Sequence, residues 1–492
     1  MKLASESYAV KHGDFFGARR TARLRGMLLM LGMAAVAAAS CASPTAAPAT
    51  NTPSVTAVVA NQPIPGGPVL LRADMTLRKL IEIGGGAAKL AFNPADSNLY
   101  YLVPANGVFK VDTGASPVGQ QVVQAATLPG TSEGLAFGQD GTMYVVTNQP
   151  VGGHLTHATV RRGKPDGSGG YTWSVLADTA HYPLADNNFD HLWNGITVSP
   201  DGKYVFVNAG SRTDHGEVED AGSVFPNTRD VPLTARIFRL PADATGLILP
   251  NDEAALAALG VVYARGTRNA YDMAFAPNGD LFAIDNGPDA DYPDELNWIR
   301  PGLNYGFPWR FGLVDNPQQF PTYNSANDKY LNQDFVAVQR GTYRNDPTFP
   351  KAPGSFTDPV INLGPAAAQY RGADGSQHDA AAEGKTLNTF TAHRSPLGLV
   401  FATDPKLPAD LRGDSTTFSA FLSSFGAAGG TLTDKGQDLL HLQLTKQGDN
   451  YQAVTTQIAR GFHNPVAAVL IQNRLYLLDY GAQGAIWEIT FK

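Results

Sequence analysis

The chain contains a single cysteine, Cys41, so disulfide bonds cannot stabilise a domain that follows it. Charged residues make up 16% of the chain and form no basic patch or tail, which argues against nucleic acid as a partner. Gly-rich phosphate loops, zinc-ligand spacings and Gly-x-Ser-x-Gly elbows are missing. Nothing therefore supports nucleotide binding, a zinc site or hydrolysis by a serine nucleophile.

The first 41 residues have the pattern of an export signal. Four arginines precede an apolar run at about residues 27–39, which is too short to span a membrane as a helix. The small residues Ala38-Ala39-Ser40 lead into Cys41, which predicts lipoprotein-type cleavage and acylation of Cys41, with simple cleavage as the alternative. Residues 42–65 are rich in Ala, Pro, Thr and Ser and predict a flexible tether. We therefore expect an extracytoplasmic protein whose membrane contact is a lipid anchor.

An internal repeat dominates the rest of the chain, residues 66–492. An apolar strand, a turn usually built on Pro-Asp/Asn-Gly and a second apolar strand recur six times. The copies lie at 89–103, 134–148, 195–210, 272–287, 397–426 and 466–481. Asp-Gly or Asn-Gly between alternating apolar residues is a strong hairpin signal. With 51 glycines and 34 prolines, this repeat predicts an all-β, six-bladed β-propeller, and a β-sandwich is the alternative.

Further strands are needed to bury the faces of each hairpin. Candidates for outer strands occur at 108–112, 236–243, 439–445 and 486–491, which predicts four strands per blade. Long insertions separate the copies at 149–190, 211–235 and 308–388. Long loops on a rigid scaffold are usually functional, so we expect them on one face, around the mouth of a central channel.

Residues 268–309 are the most informative segment. A hairpin is followed by the Gly287-Pro288 turn and by four acids, Asp289, Asp291, Asp294 and Glu295. Calcium prefers about six to eight oxygen ligands from carboxylates and carbonyls, although a solvated acidic loop would look the same. Together with Arg268-Asn269 and the stretch Gly302-Leu-Asn-Tyr-Gly-Phe-Pro308, this segment resembles the signature of the glucose/sorbosone dehydrogenases. These are β-propellers that use pyrroloquinoline quinone (PQQ).

The resemblance implies roles for several residues. His191, in Asp190-His191-Leu-Trp-Asn-Gly195, would be the catalytic base, although from the residues alone a strand-capping histidine is equally open. Arg268 and Asn269 would bind the quinone carboxylates and its reactive carbonyl. The main-chain carbonyls of Gly287 and Pro288 would bind calcium. The four acids would bind the same ion or a second one, or would stabilise the loop.

Other candidates match the family less closely. His393 and Arg394 open the fifth hairpin and resemble its His-x-Ala/Ser-Pro-x-Gly motif, which implies contacts to cofactor carboxylates. Arg460 and Glu133 are further candidate cofactor contacts. Relatives often place an acid after the third hairpin to orient the histidine. This chain departs from that pattern, and Asp214 is the candidate replacement.

The predicted function is PQQ- and calcium-dependent oxidation of an aldose or a sorbosone-like sugar. His191 would remove the hydroxyl proton while hydride passes to the quinone, which calcium and the catalytic Arg268 would polarise. Electrons would then leave to a respiratory acceptor outside the cytoplasm. Two alternatives stay open. One is a non-catalytic, calcium-stabilised propeller that binds glycan or protein. The other is a calcium-dependent lactonase-type propeller, which needs side-chain ligands converging in the channel.

Overall fold

The computed structural model describes Ile64 and residues 66–114, 117–426, 429–481 and 483–492. The predicted export signal, Cys41 and nearly all of the tether lie outside these residues. Within the described part, no helix has the length and apolar character needed to cross a membrane.

The chain from residue 66 onward forms six antiparallel β-sheets, which we number as blades 1 to 6. Blade 1 contains Lys89–Asn93, Asn98–Val103, Gly107–Val111 and Gly119–Gln124. Blade 2 contains Thr131–Phe137, Met143–Gly152, Leu155–Pro165 and Tyr171–Thr179, with Tyr182–Pro183 and Leu247–Leu249 added. Blade 3 contains Trp193–Val198, Tyr204–Ala209, Arg236–Pro241 and Val262–Arg265.

Blades 4 to 6 complete the set. Blade 4 contains Asp272–Phe275, Leu281–Asp285 and Glu295–Ile299. Blade 5 contains Pro396–Phe401, Thr417–Ser424, Asp438–Gln447 and Asn450–Arg460, with Val69–Leu70 and Ile361–Pro365 on its outer strand. Blade 6 contains Pro465–Ile471, Arg474–Asp479, Ala485–Phe491 and, from the beginning of the propeller, Met75–Glu82.

Short elements lie between the blades. The helices are Glu253–Leu259 and Val336–Gln339, with 3₁₀ turns at Ala125–Thr127, Pro317–Gln319, Ser325–Asn327 and Ala409–Leu411. Two small ribbons lie in the insertion at 308–388: Arg310–Phe311 with Val314–Asp315, and Gln369–Arg371 with Gln377–Asp379.

The blades close into a ring. The first strand of each blade packs against the first strand of the next, and that of blade 6 packs against that of blade 1. Met75–Glu82 pairs antiparallel with Ala485–Phe491, so the two ends of the propeller share one sheet. The predicted six-bladed propeller is confirmed, and the β-sandwich alternative is wrong because no sandwich closes into such a ring.

Turn chemistry and interblade packing explain why the repeat folds this way. Gly202 and Gly279 have φ of 71° and 89°, so the Asp-Gly and Asn-Gly turns use the left-handed conformation that glycine tolerates. Apolar faces of neighbouring blades then pack together. One apolar cluster joins blades 2 and 3, and within its blade 3 part Trp193 stacks on Phe238 at 4.7 Å and donates its indole N–H to the Leu233 carbonyl at 3.0 Å.

Two expectations about the blades were wrong. Residues 149–190 are largely the outer strands of blade 2 and not a loop. The sequence hides these strands because they contain Thr, His and Arg and lack the apolar repeat phrase. Blade 4 has three strands in the described structure, where four were expected. After Ile299 the chain turns at Pro301-Gly302, and Asn304 pairs with Arg265 of blade 3 instead.

Candidate active site

His191 lies immediately before the first strand of blade 3, at the mouth of the channel. Its Nδ1 is 3.1 Å from the Ser211 carbonyl oxygen. Since a carbonyl only accepts, this contact favours the tautomer that carries the proton on Nδ1. Burial and the positive charge of Arg268 lower the pKa of His191 to about 3. The imidazole is therefore neutral near pH 7, which is the form a general base requires.

Asp214 does not replace the missing carboxylate partner of His191. The imidazole is oriented by the hydrogen bond between its Nδ1 and the Ser211 carbonyl, which accepts. Asp214 instead accepts from Arg268 and from His215, both at 2.7 Å. The insertion at 211–235 folds back over blade 3, and this turns Ser211, not Asp214, toward the base.

Arg268 is almost fully buried before the first strand of blade 4, with 6% of its surface exposed. Its Nε donates to the main-chain oxygen of Asp214 and its Nη2 to the Asp214 carboxylate, both at 2.7 Å, while Nη1 lies 3.3 Å from the Asn286 carbonyl. The Asp285 carboxylate accepts the backbone N–H groups of Arg268 and Asn269. The Asp285 carboxylate therefore fixes the backbone of the turn that carries both predicted cofactor contacts, Arg268 and Asn269.

A chain of amides joins the main-chain carbonyl of His191 to the loop at 286–294, which was predicted to bind calcium. Asn194 donates to the His191 carbonyl at 3.2 Å and to Oδ1 of Asn269 at 2.8 Å. Asn269 in turn lies 3.4 Å from Oδ1 of Asn286, and Asn208 supports Asn194 at 2.8 Å. Sequence reasoning had predicted Asn269 and missed Asn194, Asn208 and Asn286. Asn194 and Asn286 stood inside the matched motifs, but their partners are set by the packing of neighbouring blades.

The Gly287-Pro288 turn is surrounded by oxygen atoms. A β-carbon added to Gly287 would lie 3.1 Å from the Pro293 carbonyl oxygen, 3.2 Å from that of Tyr292 and 3.4 Å from Oδ1 of Asp294. The backbone N–H of Gly287 donates to Asp294 at 2.8 Å. Carbonyl and carboxylate oxygens suit a hard cation, so the donor set at this turn fits calcium.

The four predicted acidic ligands are dispersed around that loop, where each binds protein donors. Asp289 accepts from the backbone N–H of Ala337, and Asp294 from those of Gly287 and Ser395. Asp291 forms ion pairs with Arg371 at 2.8 Å and with His393 at 3.0 Å. Glu295 accepts from Gly312 and Asn297. In the described part of the chain, no three His, Cys, Asp or Glu side chains are grouped to hold a metal.

A small cavity of about 10 Å³ lies beside the loop, lined by Arg268, Asp285, Gly287 and Glu295 among others. Burial raises the pKa of Asp285 to about 6. Burial and the neighbouring Asp285 charge raise the pKa of Glu295 to about 8. Two adjacent carboxylates thus share the space under the turn, and one of them is protonated near pH 7.

His393 and Arg394, at the start of blade 5, differ in their surroundings. The His393 ring lies 4.4 Å from that of Phe335, tilted by 37°, and its Nε2 lies 3.0 Å from Asp291, which brings it next to the loop at 286–294. Arg394 is buried, and its guanidinium binds both oxygens of Asp438 at 2.6 Å and also Asp434. That pairing argues against a cofactor contact by Arg394 and favours a structural role.

The two remaining candidates lie apart from this network. Arg460 ends the outermost strand of blade 5 and is exposed. Glu133 lies on the first strand of blade 2, facing the channel, where burial raises its pKa to about 7. Its charged neighbour is Lys89 of blade 1, which sequence reasoning did not single out.

The positive groups near the mouth of the channel suit an anionic ligand. Arg268 lies beside the loop at 286–294, with the His393 ring as a further polar group, and Lys435 donates to the carbonyls of Gly429 and Gly430 beside His393. Cationic donors and amides around an oxygen-rich turn are the groups expected to bind a quinone with three carboxylates together with calcium. The described residues therefore fit the predicted cofactors.

Fold and site together define a six-bladed β-propeller with a polar site where blades 3, 4 and 5 begin. Residues 134–328 match the family model of Glucose / Sorbosone dehydrogenase, which confirms the resemblance found in the motifs. The matched region includes His191, Arg268, Asn269 and the Gly287-Pro288 turn. The candidates in blade 5, His393, Arg394 and Arg460, lie outside it.

Among curated proteins, the chain is 27% identical over 181 residues to quinoprotein glucose dehydrogenase B of Acinetobacter calcoaceticus. That match spans 33% of this chain and 36% of the relative's length. Among solved structures, the soluble aldose sugar dehydrogenase of Escherichia coli has a TM-score of 0.53 at 14% identity, covering 85% of this chain and 100% of that one.

The PQQ domain of pyranose dehydrogenase from Coprinopsis cinerea gives the same TM-score, 0.53, at 12% identity. This likeness covers 86% of the present chain and 97% of that domain. At such low identity, the likeness to the two solved structures establishes the shared propeller fold and nothing about the ligand.

Proposed function

We propose that this protein is a PQQ- and calcium-dependent dehydrogenase that oxidises an aldose or a sorbosone-like sugar outside the cytoplasm. The observation that carries the proposal is the continuous hydrogen-bond network from His191 through Asn194 and Asn269 to Asn286. It runs from the main-chain carbonyl of His191 to the residue before the Gly287-Pro288 turn, where Nη1 of Arg268 lies 3.3 Å from the Asn286 carbonyl. The family match across residues 134–328 supports the same reading.

Each residue of this network has a distinct role in the proposal. His191 accepts the proton of the sugar hydroxyl at Nε2, and the Ser211 carbonyl keeps the ring in the tautomer that leaves Nε2 free of hydrogen. Arg268 and Asn269 bind and orient the quinone. The carbonyls of Gly287 and Pro288 hold calcium. When bound, PQQ supplies the hydride acceptor and calcium supplies Lewis-acid polarisation.

The cellular setting of the proposal comes from the sequence. The signal pattern of residues 1–41 and the position of Cys41 favour export and a lipid anchor at the membrane surface. Electrons would then pass to a respiratory acceptor outside the cytoplasm.

A non-catalytic propeller is the second candidate function. It is favoured by the engagement of two buried candidate arginines with protein carboxylates: Arg268 with Asp214, and Arg394 with Asp438. The calcium loop would then stabilise a surface that binds glycan or protein. The lactonase alternative gains no comparable support, because the acids near the calcium turn bind backbone and side-chain donors of the protein.

The proposal is tested by titrating the purified protein with PQQ in the presence and absence of calcium, and by following dye reduction with a panel of aldoses. We expect saturable, calcium-dependent binding and sugar-driven reduction. His191→Gln should lower kcat by about 10²–10⁴-fold and retain quinone binding. The control is His181→Gln, an exposed histidine beside blade 2. If the folded protein binds no PQQ at micromolar concentrations, the dehydrogenase proposal is wrong and the non-catalytic propeller is the remaining candidate.

A further inference from the structure

Asp214 is a fully buried carboxylate on which several parts of the site converge. Its Oδ1 accepts from Nη2 of Arg268 at 2.7 Å and from the backbone N–H of Asp289 at 3.0 Å. Its Oδ2 accepts from Nδ1 of His215 at 2.7 Å and from the Tyr343 hydroxyl at 3.2 Å. Its main-chain oxygen accepts from Nε of Arg268. The charge of Asp214 is thus surrounded by donors on every side.

Two insertions hold this carboxylate in place. Both oxygens of Glu217 accept consecutive backbone N–H groups, those of Asp214 and His215, at 2.8 Å. The His215 ring stacks on Tyr343 at 3.8 Å with an interplanar angle of 17°. Asp214, His215 and Glu217 belong to the insertion at 211–235, and Tyr343 belongs to the insertion at 308–388. The two loops meet at Asp214.

We propose that Asp214 is a positioning residue that fixes Arg268 and the calcium loop relative to each other; this inference rests on the proposed function. Two contacts from one residue, to Nε and Nη2, define the plane of the Arg268 guanidinium and leave the Nη1 edge toward Asn286. The bond to the N–H of Asp289 holds the residue that follows Gly287-Pro288.

A long arginine side chain has many rotamers, and ordering it on cofactor binding would cost affinity. In this structure Asp214 has already ordered it. Misplacement of a polarising group by about 1 Å can cost on the order of 100-fold in rate, so the effect of Asp214 should be on kcat and on quinone affinity. Its role differs from that of a carboxylate that orients the histidine base, because the Ser211 carbonyl does that here.

The test compares Asp214→Asn with Asp230→Asn in the full chain. Asp230 is a buried acid of the same insertion and accepts from the Arg212 N–H and the Thr213 and Thr234 hydroxyls. In Asp214→Asn, the side-chain NH₂ group must face donors on one side of the residue. Because this group cannot accept, those hydrogen bonds are lost. We expect Asp214→Asn to raise the Kd for PQQ with calcium about 10-fold and to lower kcat about 100-fold with little change in sugar KM. Asp230→Asn should lower the thermal midpoint and leave that Kd within about two-fold.

A double-mutant cycle separates positioning from folding. If Asp214 acts through Arg268, adding Asp214→Asn to an Arg268→Met protein should change kcat and Kd by less than about two-fold. Tyr343→Phe keeps the stacked ring and removes one donor to Asp214, so it should shift Kd in the same direction by a smaller factor. It also serves as the readout should Asp214→Asn fail to fold.

Three results would overturn the inference alone: an unchanged Kd and kcat in Asp214→Asn, additive losses in the cycle, or equal losses in Asp230→Asn. A wild-type protein that binds no quinone and oxidises no sugar would overturn the proposed function and this inference together.

Discussion

Lys89 and Tyr271 bind each other across the central channel. Lys89, at the start of the first strand of blade 1, donates from Nζ to the Tyr271 carbonyl at 2.6 Å and lies 3.3 Å from the centre of the Tyr271 ring. Tyr271, just before the first strand of blade 4, returns a bond from its hydroxyl to the Ala88 carbonyl at 2.9 Å. Blades 1 and 4 face each other in the ring, so this reciprocal pair bridges the channel.

The buried ammonium should make stability depend on alkaline pH. Burial lowers the pKa of Lys89 to about 8 from 10.5, although Asp272 and Glu133 oppose the shift. Between these two pH values the unfolded chain binds more protons than the folded one, so the free energy of unfolding rises with pH. We expect the wild-type value to rise relative to that of Lys89→Met by about 3 kcal/mol from pH 8 to 10.5, measured by urea unfolding.

The pH window and the control isolate Lys89. Glu133, which faces it, has a pKa of about 7 in the wild-type protein, below the start of the window. Tyr271 is present in both proteins, and its pKa is raised by burial. Lys203→Met, on the exposed turn of blade 3, should give a difference that does not vary with pH. Parallel curves for wild type and Lys89→Met would contradict a buried, bridging ammonium.

His191 should affect stability in the acid range. Its pKa is about 3 in the folded protein and 6.5 ordinarily, because burial and Arg268 disfavour the imidazolium. Between these values the unfolded chain takes up a proton that the folded protein does not. Stability contributed by the neutral ring therefore falls as the pH drops through 6.5. Unfolding midpoints from pH 7 to 4 should fall more for wild type than for His191→Gln.

An equal fall for the wild-type and His191→Gln proteins would mean that the imidazole ionises normally in the folded state. The exposed His181 gives the comparison variant, His181→Gln, which is measured over the same range.

Gly287→Ala tests the oxygen-rich turn. The added methyl group would lie 3.1 Å from the Pro293 carbonyl and 3.2 Å from that of Tyr292, which is tighter than an ordinary contact. These carbonyls must shift, so we expect calcium-dependent PQQ binding to weaken at least about 10-fold while stability changes by about 1–3 kcal/mol. Titration of the variant with calcium at fixed PQQ measures the effect.

Gly114→Ala is the matched control for this substitution. Gly114 is exposed in blade 1, and a β-carbon there meets the flexible side chain of Asp112 as its nearest neighbour. We expect wild-type calcium dependence from it. Unchanged calcium-dependent PQQ binding in Gly287→Ala would mean that calcium does not bind at this turn.

The hairpins were predictable from the sequence and the partners of the site were not. Turns such as Asn278-Gly279 and an alternating apolar pattern are local signals, so each blade's inner pair of strands could be located. The bond from Arg268 to Asp214 spans 54 residues, and that from Lys89 to Tyr271 spans 182. Such contacts follow from ring closure and from the course of the insertions, which carry no periodic signal.

Arg394 illustrates the same limit, because its motif suggested a cofactor contact and its partners lie 40 and 44 residues further along, at Asp434 and Asp438. Removing a buried cation leaves Asp438, which is 0% exposed, without its counter-charge. We expect Arg394→Met to lower the free energy of unfolding by about 3–5 kcal/mol, and added Asp438→Asn to restore part of it. By contrast, Arg72→Met, which removes a more exposed pair with Asp74, should cost about 1 kcal/mol or less.

The Arg394→Met/Asp438→Asn protein also decides the role of this arginine. If Arg394 serves blade 5 alone, the double variant, once folded, should bind PQQ with a Kd within about three-fold of wild type, since the removed charges neutralised each other. A direct contact to a cofactor carboxylate would instead be lost in the single and double variants alike, with Kd raised about 10-fold or more in both. Fluorescence titration with PQQ and calcium, at a temperature where both variants are folded, distinguishes the two roles because restoring stability cannot restore a missing ligand contact.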